Sequence, residues 1–196
     1  MKKFLLFAVV LGCVWMCVRP APAARWSGRP GTVPAQTAAG LPASWVRDGF
    51  TYIPLARFSV RAVVLSRERY RNDPGAEFAP VDLALGWEAM SEAQVINSMD
   101  ISQGGRWYEY SWRDAPPVAL AEIIRSSANM HMVPANPAVR TALLQVKRHE
   151  LVDVSGYLIE IRGENGWHWR SSTSREDSGG GACEVVWVDA VARWRL

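Results

Sequence analysis

Cysteine is scarce in this chain of 196 residues: there are three, and Cys13 and Cys17 both fall in the first 23 positions. Cys183 stands alone in the remainder, which excludes an internal disulfide there and any paired-cysteine zinc spacing. Lysine is nearly absent too, Lys147 being the one lysine after Lys3. Charge of a single sign is also lacking. The net charge of +3 is carried by Lys2, Lys3 and Arg19, and no acid precedes Ala24. From Ala24 onward, 19 basic residues meet 19 acidic ones. A neutral domain has no general attraction for nucleic acid or an anionic bilayer, so nucleic acid is not an expected partner. Arg57, Arg61, Arg67, Arg69 and Arg71 cluster with only Glu68 among them, and read as a solvated face in an arginine-rich chain. No apolar run reaches the roughly 20 residues of a stable bilayer span.

An uncharged apolar run, Phe4 to Val18, follows a basic start and precedes Ala21-Pro22-Ala23. A basic start, a short apolar middle and an A-x-A site form a secretory signal, with cleavage expected before Ala24. Two alternatives stay open. Val10-Leu11-Gly12-Cys13 loosely resembles a lipoprotein box, which would lipidate Cys13. The segment could also be retained as an uncleaved anchor. Each version exports the chain, to the periplasm or to the outer face of the inner membrane, and membrane contact is expected only through this segment.

Residues 24–44 are rich in Pro, Gly, Ala and Thr without an apolar period, and are expected to form a flexible tether before one domain over 45–196. Phe50 to Leu65 alternates as strand, with a bend near Phe58. Ser91 can cap a short helix reaching Met99. From Arg106 to Trp112, Tyr108, Tyr110 and Trp112 share one face, as a half-buried strand requires. A short apolar helix follows over Val118 to Arg125. Asn136 before Pro137 is a strong helix start, and Val139, Leu143 and Val146 form its apolar stripe. Val152 and Val154 differ in parity from Tyr157, Ile159 and Ile161, with Gly156 between them; a bulge at Gly156 is expected to turn both sets inward. Asn165-Gly166 signals a hairpin. Cys183 to Val191 is apolar on both faces, as in a central covered strand. The fold class expected is α+β: a curved, mostly antiparallel sheet able to close as a small OB-like barrel, with a few short helices.

Two stretches carry a resemblance. Asn129-Met130-His131-Met132-Val133-Pro134-Ala135-Asn136, and the run from Ser171 through Arg175, Asp177 and Gly179 to Glu184, resemble a family of uncharacterised exported bacterial proteins, over about Phe50 to Val188. The resemblance implies a bacterial cell-envelope location and supplies no catalytic residues.

Several chemistries fail on inspection. Asp177-Ser178-Gly179-Gly180 matches the core of the chymotrypsin-like serine signature, but Glu176 stands where the leading Gly belongs and nothing around His131 resembles the protease histidine motif. His131, His149 and His168 share no metal spacing, so neither metal nor cofactor is expected. Cys183 with His131 could serve as thiol and base in a hydrolase, the alternative function. The polar loop Ser171 to Gly181 is the main candidate for binding. It predicts a site in which His131 lies against the loop, Arg175 binds an anion, and Asp177 orients His131 or Arg175. The function expected is therefore an exported, non-catalytic binding or interaction module whose partner is an envelope protein or a small ligand.

Overall fold

The computed structural model describes residues 23–177 and 179–196. The segment expected as a signal lies outside them except for Ala23. The strands are β1 (Thr32–Thr37), β2 (Trp45–Arg47), β3 (Phe50–Arg69), β4 (Val81–Gly86), β5 (Asp100–Gly104), β6 (Trp107–Ser111), β7 (Ser127–Pro134), β8 (Glu150–Arg162), β9 (His168–Arg170) and β10 (Glu184–Arg195). The helices are α1 (Ala93–Asn97), α2 (Leu120–Arg125) and α3 (Pro137–Gln145).

Five strands close a ring in the order β3-β4-β7-β10-β8 and back to β3. Every neighbouring pair is antiparallel except β7 with β10. This is the α+β fold with a small OB-like barrel that the alternation patterns predict. The 20-residue β3 makes closure possible. One edge pairs with β8 from Thr51 to Val63, and the opposite edge pairs with β4 from Val63 to Arg69. Register shifts beside Leu55 and Leu65 bend it between these partners. Ala56, Phe58, Val60, Ala62 and Val64 fill the barrel with Leu83, Met130, Met132, Val154 and Val186. Helix α3 plugs the core through Val139 and Leu143; Asn136 caps it by accepting a hydrogen bond from the Val139 amide at 3.0 Å.

Residues 24–44 do not form a free tether. β1 pairs with β3, and β2 pairs with the start of β3. Further back, Asn97 grips Ala24 from both sides: the Ala24 amide donates to Asn97 Oδ1 at 2.8 Å, and Asn97 Nδ2 donates to the Ala24 carbonyl at 2.9 Å. The Trp26 indole donates to the Ser91 carbonyl at 2.8 Å. Composition missed this because the partners lie more than 60 residues away. Ser91 is no helix cap either; its hydroxyl accepts from the Gly31 amide and donates to the Glu88 carbonyl.

The expected bulge at Gly156 falls on the neighbouring strand. β8 runs regularly against β3 through Gly156, while the shift with β10 lies between Val188 and Ala190. The parity change has another cause. Val152, Val154 and Leu158 line the barrel, whereas Ile159 and Ile161 pack outside it against Tyr52, Phe78 and Trp187. From Leu158 to Ile161 both faces of β8 are buried, so both carry apolar residues there.

Candidate functional site

The connection from β4 to β7 carries the β5–β6 hairpin, and its two-residue turn is unusual. Gly105 and Arg106 both have positive φ, 56° and 72°. That is the turn geometry matching the right-handed twist of paired strands, and it normally selects Asn or Gly in the place of Arg106. The reason for an arginine lies beneath it. Arg106 Nη1 donates to Asp82 Oδ1 at 2.7 Å and to the Ala79 carbonyl at 2.9 Å, and Nη2 donates to Asp73 Oδ1 at 2.8 Å. Its guanidinium also lies 3.7 Å from the Tyr70 ring centre. A fully buried carboxylate is thus neutralised from above, and the bonds formed offset the strain of the turn.

His131 belongs to this cluster. It sits opposite Asp82 in the β4–β7 ladder, and its Nδ1 lies 2.9 Å from Asp82 Oδ2, close enough for an ion pair but poorly aligned for a linear hydrogen bond. Trp169 of β9 covers the imidazole at 4.7 Å between ring centres. The expected Asp177–His131 partnership is therefore corrected: the carboxylate beside His131 is Asp82. Asp177 instead accepts from the Ser172 hydroxyl at 2.5 Å.

Arg175 and Asp177 do line a cleft, of about 510 Å³, which His131 does not reach. One wall comes from the hairpin and its surroundings, with Trp87, Trp107, Tyr108 and Tyr110. The opposite wall is the loop between β9 and β10. The floor is made by Ser127, Asn129, Cys183 and Glu184, at one end of the barrel.

The role expected for Arg175 also changes. Its Nη1 lies 2.5 Å from Glu184 Oε1, and its Nη2 donates to Gln36 at 3.2 Å. A guanidinium already paired with a buried carboxylate is a poor receptor for an anion. Glu184 shares its face of β10 with Val186 and Val188 and so points into the barrel mouth, 1 % exposed. Burial pushes its carboxyl up to about 7, against the lowering influence of Arg175.

Cys183 faces the other way. Asn129 Nδ2 lies 3.7 Å from its sulfur, which reaches the Arg106 carbonyl at 3.9 Å. Burial pushes the thiol up to about 11, and the nearby carboxylates of Glu184, Asp82 and Asp177 act in the same direction. A nucleophilic cysteine needs the opposite shift. Among the described residues no three His, Cys, Asp or Glu side chains converge as metal ligands.

Asp82, Arg106 and Glu184 escaped notice in the sequence. Asp82 and Glu184 each interrupt or open an apolar strand, Val81–Gly86 and Glu184–Arg195, and an acid in such a place is a usable signal. Comparison with protein-family models, characterised proteins and solved structures returned no match to this chain.

Proposed function

We propose that this protein is a non-catalytic binding module of the bacterial cell envelope, and that its ligand enters the cleft between the β5–β6 hairpin and the β9–β10 loop. The cleft itself carries this reading. Its volume of about 510 Å³ suits a small molecule or one side chain of a partner protein, with an aromatic wall facing a few polar groups. Trp107 is half exposed there, on a hairpin held by Arg106, so its ring is available as a contact surface.

The barrel supports the same location. OB-type barrels bind along the face of their second and third strands. Here those are β4 and β7, and most of that outer face is roofed by Arg106 and Trp169 over Asp82 and His131. The roof ends at Asn129, where the cleft begins. Fold analogy alone is a weak warrant, so the lining chemistry takes precedence. The thiol-hydrolase alternative with Cys183 and His131 draws no support from the raised thiol pKa.

Export rests on the basic start, the apolar run and Ala21-Pro22-Ala23. If the segment were kept as an anchor, the domain would stand close to the bilayer, because Ala24 is already docked on Asn97. Two measurements test the proposal. Fractionation of host cells with N-terminal sequencing should find the protein in the envelope, beginning at Ala24. A thermal-shift screen of amines, sugars, amino acids and short peptides should give hits that Trp107→Ala abolishes; hits indifferent to that change would move the site elsewhere.

A further inference from the structure

Among the described residues four charged side chains line the cleft: Glu109, Asp177 and Glu184 are acids, and Arg175 is the base. Three carboxylates against one guanidinium leave the cavity unfavourable for an anion. Glu184 is the informative member. One of its oxygens faces Arg175, but among the described residues Oε2 has no hydrogen-bond partner although it is buried. A buried carboxylate oxygen left unpaired is costly, and a structure retains such a group where something else completes it.

The surroundings define what that partner should be. The wall opposite is aromatic, and the faces of Trp and Tyr rings attract cations. Arg175 already demonstrates the preference internally: its guanidinium sits on Glu184 and lies 5.8 Å from the centre of the Phe58 ring. The arginine meets Oε1 as an ion pair without an aligned hydrogen bond, and Oε2 is left for a second donor.

Resting on the reading of the cleft as a ligand site, we propose that its ligand is an organic cation, an ammonium or guanidinium group on a small apolar or aromatic body. The cationic group donates to Glu184 Oε2 while Arg175 stays on Oε1, and the apolar body lies against Trp107 and Tyr108. A free amine or a basic side chain of a partner protein both present this chemistry.

The test uses three analogues of one shape: tyramine, the neutral 4-ethylphenol, and the anionic 3-(4-hydroxyphenyl)propanoate. Binding is measured by calorimetry on the protein as its host produces it, above the Glu184 pKa of about 7 so that the carboxylate is charged. Tyramine should bind at least about tenfold more tightly than either analogue, and Glu184→Gln should remove that preference while preserving an acceptor for Arg175. Equal affinity for tyramine and 4-ethylphenol overturns the inference, as does no tyramine binding or an unchanged preference in folded Glu184→Gln. If Glu184→Gln does not fold, the comparison of analogues on the unaltered protein still decides. Equal binding of all three that Trp107→Ala abolishes would leave the cleft as a ligand site and sink only its charge preference. A cation preference untouched by Trp107→Ala would place the amine elsewhere.

Discussion

Gly156 and Trp187 touch backbone to backbone: a Cβ atom on Gly156 would lie 1.8 Å from the Trp187 carbonyl oxygen. No side chain fits at that separation without moving β8 and β10 apart, beside the register shift that bends β10. Gly156→Ala should therefore lower stability by at least about 2 kcal/mol, the cost of forcing atoms into a filled core. Chemical denaturation checks this, and an unchanged midpoint would show that the two strands part easily.

Asp82 is the buried charge on which the hairpin rests. Removing it strands Arg106 and His131 without their common partner. Asp82→Ala should cost about 3 to 5 kcal/mol, the usual penalty for breaking a buried ion pair from one side. Hydrogen exchange should show the loss concentrated in the β5–β6 hairpin. A uniform small change across the domain would assign Asp82 no special hold on it.

Glu184 sets a pH dependence whose sign follows from its raised pKa. The folded state keeps the proton up to about pH 7, whereas an exposed glutamate loses it near 4.5. Between those values the native state binds more protons than the unfolded one, so rising pH lowers the stability of the fold. Unfolding free energies of the wild type should fall relative to Glu184→Gln across this window. Parallel profiles for the two proteins would mean that Arg175 keeps Glu184 ionised throughout.

The buried thiol of Cys183 should react slowly. With its pKa near 11, roughly one thiol in a thousand is ionised at about pH 8, far fewer than for a free cysteine. Iodoacetamide should label Cys183 slowly in the native protein and readily in denaturant, read by peptide mapping that separates it from Cys13 and Cys17. Fast native labelling would revive the thiol-hydrolase reading.

The barrel was legible where chemistry is local. Asn136-Pro137 marked the start of α3, alternation marked β3 and β8, and the double-sided apolar run marked β10 as a central strand. The bulge expected at Gly156 lies on β10 instead, because pattern along one strand cannot show which neighbour yields, and the parity change reflects apolar residues of β8 packing inside the barrel and outside it. Of the candidate site, the loop was found and Arg175 and Asp177 do line the cleft. Their partners were not found, since Glu184 and Asp82 pair with residues from other elements.

Sequence alone determined the mixed strand-and-helix class, the capped helix, the neutral charge balance beyond Ala23 and the want of any disulfide there. These follow from short-range spacing and from counting. Tertiary structure decided that 24–44 would be strapped to the barrel, that His131 would meet Asp82 in place of Asp177, and that Arg175 would face a buried carboxylate. Those outcomes depend on strand register and ring closure, which place side chains from distant segments within bonding distance. A shift of one residue would send each of them to the opposite face of the sheet.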